Sequence, residues 1–383
     1  MPQPLPMKRR ATPTVFPHAM LEEIYAQPES IRRTIEQNVK GDLIFPGTLG
    51  PIESALFGFT KVIIAASGSS RHAGLAGEIM LEDLAGMAVD VEYASEYCYR
   101  STHAGADPIV VVITQSGETV DTIAAQREAL NRGAKTIAIS NVAESTIVRE
   151  ASAALHTYAG LEKAVPATKS FTAQLTMLYL LALFLARKRG RMTSEVIRTR
   201  LNSLAEIPKA IEHSLALWNE TAEACAQSHR NDRGFLFLGR GVHYAIAREG
   251  ALKLKEISHV HAEGLPSGEL RHGSNALVDE NLTVVVLATQ DTTDPDSMLR
   301  YQKTVAVLEY VKSRGGKSIA VVTEKDHAVS ALADQVIAVP AAPELITPLL
   351  EVVPLQLFAY HFGVVNGCDV DRPRNLVKAV ITE

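Results

Sequence analysis

One pattern of strand, loop and helix occurs twice along the chain, and this repeat limits the possible folds more than any other feature. In each copy, a short apolar run ends at a polar or glycine-rich loop that leads into a helical stretch. The matching segments, roughly 170 to 180 residues apart, are Lys61–Ala66 with Phe235–Leu238, Ile109–Ile113 with Thr283–Leu287, and Arg132–Ser140 with Arg314–Val322. The repeat predicts a duplicated β-α-β unit.

Strands that alternate with helices and are apolar along their whole length are typical of parallel sheets covered on both faces. We therefore predict an α/β chain with two tandem, doubly wound parallel sheets, for which 383 residues suffice. The predicted division is 1–45 for an N-terminal lead-in and helix, 46–200 for the first domain, 201–367 for the second domain and 368–383 for a C-terminal tail. Ligands of such sheets bind beyond the carboxyl ends of the strands.

Composition and charge narrow the classes of function. The net charge of -5 provides no basic footprint, so no nucleic-acid partner is expected. The three cysteines are far apart and odd in number, which predicts neither a disulfide framework nor a zinc ribbon and fits the cytoplasm. The segment Met1–Pro17 lacks the apolar stretch of a secretory signal and is expected to be a flexible lead-in.

The segment Phe171–Ala186 is nearly all apolar, with basic residues directly after it. It is shorter than the roughly 20 residues that a membrane span needs, and Thr172, Gln174 and Thr176 interrupt it. We expect a core helix or a subunit-interface helix, and no membrane association.

A phosphate site is predicted where Thr114–Thr119 follows a strand and opens a helix. The loop offers hydroxyls, free backbone N–H groups and the positive end of a helix dipole, and the neighbouring Ser67–Ser70 adds further hydroxyls. Either loop alone is also what an ordinary turn or helix cap is made of. The counterpart loop Gln290–Asp294 carries two carboxylates, so one phosphate site per chain is expected. Neither loop matches a nucleotide-binding fingerprint, which favours a sugar phosphate.

Candidate acid–base residues lie in the second half of the chain. Glu249, Lys253 and Glu256 are spaced to share one stripe of a helix, although such a stripe alone is more typical of a solvated face with salt bridges. The glycine-rich segment that follows contains His272, a side chain suited to proton transfer near neutral pH. Opening a pyranose and moving a proton between C1 and C2 needs such groups. No metal ligand set and no cofactor are predicted.

Several segments together resemble the isomerase portion of glucosamine-6-phosphate synthases, a tandem pair of sugar isomerase (SIS) domains with flavodoxin-like sheets. The likeness runs from about His18 to Glu383. Its carriers are E-I-Y-x-Q-P at Glu23, T-Q-S-G-E-T at Thr114, T-K-S-F-T-x-Q-L at Thr168, E-G-A-L-K-L-K-E-I-S at Glu249, H-A-E at His261, G-E-L-R-H-G at Gly268 and D-x-D-x-P-R-N-L-x-K at Asp369.

The resemblance implies roles for individual residues. Glu256 would move the proton between C1 and C2 beside Glu249 and Lys253, His272 would assist ring opening in a partner subunit's site, and Lys378 would form a Schiff base with an open-chain ketose. A homodimer is implied as well. The implied phosphate and sugar contacts are Gly68, Ser69, Ser70, Thr114, Gln115, Ser116, Thr119, Val165 and Ala167.

The sequence departs from the family in two places. The synthases begin with a glutaminase whose nucleophile is an N-terminal cysteine, whereas the first cysteine here is Cys98, so no use of glutamine is expected. In addition, Ala66–Ser70 and Val165–Ala167 replace the usual Cys-Gly-Thr-Ser and Val-Ala-Ser, and the serine lost at Ala167 bears on substrate preference.

The expected function is that of an SIS-type glucosamine-6-phosphate deaminase, which releases ammonia and fructose 6-phosphate. The alternatives are an ammonia-dependent synthase, a plain phosphosugar isomerase or a deglycase for a fructosamine 6-phosphate. A non-catalytic phosphosugar sensor is the more distant alternative, because a sensor has no need of Glu256, His272 and Lys378 together.

Overall fold

The computed structural model describes residues 15–45, 48–53, 56, 58–59, 61–100 and 108–380. The predicted lead-in Met1–Pro17 lies outside these residues except for its last three. The strands are β1 Val39–Lys40, β2 Leu43–Ile44, β3 Lys61–Ala66, β4 Ala88–Tyr93, β5 Ile109–Thr114, β6 Lys135–Ser140, β7 Ala153–His156, β8 Gly234–Gly239, β9 His261–Pro266, β10 Leu282–Ala288, β11 Lys317–Thr323 and β12 Gln335–Val339.

Helices surround these strands. The α-helices are α1 Ala19–Tyr25, α2 Gln27–Asn38, α3 Gly68–Ala85, α4 Ala94–Tyr97, α5 Val120–Asn131, α6 Thr146–Glu150, α7 Lys169–Lys188, α8 Ser194–His229, α9 Val242–Ser258, α10 Pro295–Ser313, α11 His327–Ser330 and α12 Pro348–Val365. Short 3-10 helices occupy Gly50–Ile52, Ser267–His272, Ser274–Leu277 and Glu344–Ile346.

The two five-stranded sheets have the same topology. The first has the order β4-β3-β5-β6-β7 and the second the order β9-β8-β10-β11-β12, and every pair within them is parallel. All six residues of β5 and all six of β8 are buried, as expected for apolar strands with both faces covered. The predicted tandem of doubly wound sheets is confirmed. We call β3–β7 with their helices the first lobe and β8–β12 with theirs the second lobe.

The interior is shared between the lobes. α3 packs against both α7 and α9, and α12 packs against both α8 and α9. One apolar cluster therefore runs from Ile64 in β3 through Leu178 in α7 to Phe237 in β8 and Phe358 in α12. Because α3 and α9 follow β3 and β8 directly, this packing brings the loops at the carboxyl ends of the first sheet close to a second-lobe helix.

Two helices are long and apolar enough to cross a membrane by length and composition, but both lie inside the protein. The apolar windows of Lys169–Lys188 and Glu344–Val365 are 100% and 89% buried. Of the alternatives for Phe171–Ala186, the structure supports the core helix. The alternative of a subunit-interface helix is not needed to explain the apolar sequence, because these side chains are buried within the same chain.

Helix α8 crosses the division predicted between residues 200 and 201. It runs unbroken for 36 residues, includes Pro208, and packs against α12 of the second lobe and α2 near the N-terminus. The Thr193 side chain caps its first turn by accepting a hydrogen bond from the backbone N–H of Val196. The domain boundaries remain a prediction.

Candidate active site

A cavity of about 290 Å³ opens where three parts of the chain meet. The first lobe provides the loops after β3 and β5 and the segment before α7, the second lobe provides two side chains of α9, and the C-terminal tail closes one side. Its lining residues are Ser67, Gly68, Ser69, Ser70, Ile113, Thr114, Gln115, Ser116, Thr119, Thr122, Glu162, Val165, Ala167, Lys253, Glu256, Leu376, Val377, Lys378, Ala379 and Val380.

Hydrogen bonds between its own residues fix the conformation of the loop after β5. The backbone N–H of Gly117 donates to Oγ1 of Thr114 at 3.3 Å, and Oγ1 of Thr114 lies 3.0 Å from Oγ1 of Thr119. Gly117 has φ of 73°, and a Cβ at this position would collide with the side chain of Ser145. Glycine is therefore required for the turn that leads the chain into α5. This leaves hydroxyls and the start of α5 at the cavity wall, which suits an anion.

The loop after β3 contributes two serines with different partners. Ser70 accepts a hydrogen bond from Nε2 of Gln174 in α7 at 3.0 Å. Ser69 instead donates its hydroxyl to Oε1 of Glu249 in the second lobe at 2.8 Å. Ser69 thus lines the cavity and also joins the two lobes.

Helix α9 contributes a stripe of three charged residues that is not a solvated face. The side chains of Glu249 and Lys253 are 0% and 1% exposed, and that of Glu256 is 21% exposed. Nζ of Lys253 lies 2.6 Å from Oε2 of Glu256 and 3.5 Å from Oε1 of Glu249. Burial alone lowers the pKa of Lys253, but the two carboxylates outweigh it and hold the pKa above its ordinary value. Lys253 is therefore a buried ammonium next to the cavity.

Glu249 is the one residue of this stripe that lies outside the cavity lining. Its second oxygen, Oε2, is 2.8 Å from Nδ1 of His72 in α3. Ser69, His72 and Lys253 therefore surround one carboxylate with groups from both lobes. His72 was not predicted from the sequence, although its position four residues after Gly68 on the same helix could have indicated it.

Lys378 reaches the cavity from the tail and forms a partly buried ion pair, with its side chain 26% exposed. Its Nζ donates to Oε2 of Glu162 at 2.6 Å, and the Glu162 side chain is 0% exposed. Burial raises the pKa of Glu162, but Lys378 together with the hydrogen bonds from Thr168 and Ser170 lowers it below its ordinary value. Glu162 was missed by the sequence analysis. The available signal was a carboxylate in a loop at the carboxyl edge of the first sheet.

His272 does not lie in this cavity. It is exposed at the end of the 3-10 helix Ser267–His272, whereas the other predicted catalytic side chains surround or support the cavity. All of the predicted phosphate and sugar contacts lie in the cavity wall. One chain therefore brings together every predicted site residue except His272. Among the residues that the structure describes, no group of His, Cys, Asp or Glu is arranged to hold a metal ion.

In the second lobe, the position that corresponds to the predicted phosphate-binding loop after β3 is occupied by side chains of the second lobe itself. His243 follows Gly241 by two residues, as Ser70 follows Gly68. Its ring lies 2.8 Å from Glu351 and 3.3 Å from Glu344. Burial alone lowers the pKa of His243, but the two carboxylates raise it to about 10. The two carboxylates at this position would repel a phosphate.

The chain matches the SIS domain family model over residues 56–184 and 230–365. It is 42% identical over 370 residues to glutamine–fructose-6-phosphate aminotransferase (isomerizing) of Chlorobaculum tepidum and 42% identical over 371 residues to the protein of that name from Methanosarcina acetivorans. Each match covers 96% of this chain and 59% of the relative. The chain thus spans about three fifths of the length of these relatives.

Solved structures show the same architecture. The C-terminal domain of glucosamine-fructose-6-phosphate aminotransferase from Francisella tularensis superposes with a TM-score of 0.86 at 34% identity, over 94% of this chain and 100% of that one. Glucosamine-6-phosphate deaminase from Thermotoga maritima superposes with a TM-score of 0.71 at 20% identity, over 94% of this chain and 99% of that one. The second likeness is one of fold alone.

Proposed function

The chain belongs to the SIS domain family, and on that premise we propose that its cavity binds a 6-phosphorylated sugar and interconverts the aldose and ketose forms. The observation that carries the proposal is the meeting of three chemically different groups around one cavity. These are the hydroxyl-rich loops of the first lobe, the Lys253–Glu256 pair of the second lobe and Lys378 of the tail. The phosphate end of an open-chain phosphosugar would then meet the hydroxyl-rich loops, and its carbonyl end would meet Glu256 and Lys378.

The phosphate would bind at the first-lobe loops. Ser70, Ser116 and Thr119 offer hydroxyl donors, and the start of α5 adds backbone N–H groups and a favourable dipole. Hydrogen bonds to a doubly charged phosphate are among the stronger ones in proteins. Val165 and Ala167 would contact the sugar chain between the two ends of the cavity.

The proton transfer would take place at the second-lobe wall. Glu256 is the more exposed carboxylate of the α9 stripe, so it is the one that a substrate can reach. Oε2 of Glu256 accepts a hydrogen bond from Nζ of Lys253 at 2.6 Å, and a carboxylate is the form of this side chain that accepts a C–H proton. Glu249 would act behind them, holding Lys253 and Ser69 in place.

The specific reaction that we propose is deamination of glucosamine 6-phosphate to fructose 6-phosphate and ammonia. After ring opening, a shift of the proton from C2 to C1 converts the amino aldose into an imine at C2, which water hydrolyses. Once ammonia has left, Lys378 would condense with the C2 carbonyl of the open-chain ketose to form a Schiff base with loss of water, and hydrolysis would release the ketose. His272 would assist ring opening in a neighbouring subunit's cavity, since it lies outside the cavity of its own chain, and we propose a homodimer on this basis. The three free cysteines support the proposal of a cytoplasmic location.

A second candidate reaction is the same chemistry in reverse, an ammonia-dependent synthesis of glucosamine 6-phosphate. It is favoured by the aminotransferase names of the relatives at 42% identity. A plain isomerase and a deglycase for a fructosamine 6-phosphate would use the same groups. A non-catalytic sensor would leave the buried Lys253–Glu256 pair without a purpose.

The test is to incubate the purified chain with glucosamine 6-phosphate and to measure ammonia and fructose 6-phosphate in parallel. Release of both in equal amounts, lost in Glu256→Gln, is the expected result. Retained binding of the phosphosugar without turnover would instead support a sensor. Fructose 6-phosphate with ammonium salt, galactosamine 6-phosphate and a fructosamine 6-phosphate test the other reactions under the same conditions.

The dimer proposal has its own test. Chains carrying Glu256→Gln and chains carrying His272→Ala are each expected to be inactive. If His272 serves the neighbouring cavity, unfolding and refolding the two together produces mixed dimers with one intact site and part of the activity. No recovery after mixing would contradict the proposal that His272 serves a neighbouring cavity, and full activity of His272→Ala alone would place His272 outside the reaction.

A further inference from the structure

The ion pair between Lys378 and Glu162 attaches the tail to the first lobe and also fixes the Glu162 carboxylate beside the Lys378 nitrogen. Beyond the 2.6 Å contact with Lys378, the Glu162 carboxylate accepts hydrogen bonds from the backbone N–H of Thr168 at 2.9 Å and of Ser170 at 3.1 Å. The hydroxyl of Ser170 donates to it at 2.7 Å. Glu162 is therefore fixed in position, lines the cavity, and touches the nitrogen that the proposed Schiff base would use.

This arrangement poses a chemical problem for Lys378. A lysine attacks a carbonyl carbon only as a neutral amine. A lysine side chain is ordinarily an ammonium near neutral pH, and Nζ of Lys378 donates a hydrogen bond to Oε2 of Glu162 at 2.6 Å. The proton must therefore leave Nζ before the attack, and the hydrogen-bonded oxygen of Glu162 is already in place to receive it.

The inference rests on the proposed ketose chemistry. We propose that Glu162 is the acid–base partner of Lys378, taking a proton from the ammonium as the amine attacks C2 of the open-chain ketose and returning it to the departing oxygen. The N–C bond forms as the carbonyl π bond breaks, and the carbinolamine then loses water. Two protons of the ammonium leave in that water, and the positive charge remains on the iminium nitrogen. Glu162 ends as a carboxylate beside the new cation, so no further reactant is needed.

The backbone around the pair keeps its two members in register. The loop that follows Glu162 is bound to the tail through the backbone N–H of Val165, which donates to the carbonyl of Asp371 at 2.9 Å. The Asp371 carboxylate accepts from the backbone N–H groups of Ala19 and Met20 at the start of α1. One hydrogen-bonded assembly thus positions both the donor and the acceptor of the transferred proton.

Other charged groups lie near Glu162 and Lys378, and their charges bear on how the trapping rate depends on pH. Glu23 on α1 accepts hydrogen bonds from the backbone N–H groups of Lys163 and Ala164, directly after Glu162. Burial is the main cause that raises the pKa of Glu23 to about 7. The remaining charged groups near the pair are Lys169 of α7 and Lys253 and Glu256 of α9.

The experiment traps the Schiff base directly. Protein is mixed with fructose 6-phosphate and sodium borohydride across pH 6 to 9, and mass spectrometry follows the reduced adduct on Lys378. We expect Glu162→Gln to slow trapping by about a hundredfold or more at every pH, in the range of a lost general acid–base group. Glu162→Asp keeps a carboxylate but places it farther from Lys378. Its trapping rate is expected to lie between those of the unmodified protein and Glu162→Gln.

The direction of the change separates the possible roles. If Glu162 were only a counter-ion, Glu162→Gln would leave more neutral amine and trapping would be faster. If the slower trapping came only from a loss of overall stability, the matched control Asp232→Asn would slow trapping equally, because Asp232 is a buried carboxylate that pairs with Lys317 at 2.7 Å away from the cavity. Either result overturns the inference. An absence of any adduct in the unmodified protein refutes the proposed lysine chemistry together with this inference, whereas an unchanged rate in Glu162→Gln refutes the inference alone.

Discussion

Replacing Glu249 by glutamine is predicted to destabilise the protein because it removes one charge from a buried network. The Glu249 side chain is 0% exposed and its two oxygens meet Ser69, His72 and Lys253. Loss of one partner from a buried ion pair costs about 3–5 kcal/mol. Lys253 keeps Glu256 at 2.6 Å, so we expect the lower end, about 3 kcal/mol. With an unfolding entropy of about 2 cal/mol/K per residue, this corresponds to a fall in Tm of roughly 4 °C for a chain unfolding as one unit.

The assay is thermal unfolding followed by circular dichroism, with Glu256→Gln as the matched control. Glu256 lies on the same helix but is 21% exposed, and a glutamine there still accepts a hydrogen bond from Lys253. We expect this control to lose about 1 kcal/mol, the value of an ordinary hydrogen bond. If Glu249→Gln melted at the same temperature as Glu256→Gln, the carboxylate of Glu249 would not hold the two lobes together as described.

Three further predictions concern the same site. Ser70→Ala removes a hydroxyl proposed to bind phosphate and is expected to raise KM for glucosamine 6-phosphate about tenfold or more, since a hydrogen bond to a charged group contributes about 1.5–3 kcal/mol; Ser203→Ala, on α8 away from the cavity, serves as its control in steady-state kinetics. Gly117→Ala forces a residue with a Cβ to adopt φ of 73° against Ser145, and a lower Tm and weaker phosphate binding by calorimetry are expected. Burial raises the pKa of Glu23 from 4.5 to about 7, so its contribution to stability is complete below pH 4.5 and is lost as pH rises through 7; Glu23→Gln is expected to remove this loss from the pH dependence of Tm.

The architecture could be predicted from the sequence because each copy of the repeat contains its own local signals for strands and turns. Each matched segment, such as Lys61–Ala66 with Phe235–Leu238, carries its own strand and turn signals, so two parallel sheets of equal topology follow from it. The loops after β3 and β5 could be placed together for the same reason, since carboxyl ends of adjacent parallel strands lie at one edge. The sequence could not decide whether Phe171–Ala186 is a core helix or a subunit-interface helix. An apolar helix has the same sequence pattern whether its own chain or a second subunit covers it.

The less predictable features depend on contacts between distant parts of the chain. The spacing of Glu249 and Lys253 shows that they share a face, but not that the first lobe covers this face and turns a solvated stripe into a buried one. Glu162 and Lys378 are 216 positions apart, so neither indicates the other. His272 illustrates the opposite case. Its segment could be recognised by resemblance, yet nothing within one chain brings it to the cavity.

The proposed reaction requires Glu256 to move the proton between C2 and C1. Glucosamine 6-phosphate is incubated in D₂O with the unmodified protein and with Glu256→Gln, and the ketose product is followed by NMR. We predict fructose 6-phosphate with deuterium at C1 for the unmodified protein. For the variant, we predict a rate lower by about a hundredfold or more, the loss expected for a general base, with unchanged binding of inorganic phosphate. Product formation by Glu256→Gln at the rate of the unmodified protein would contradict the account.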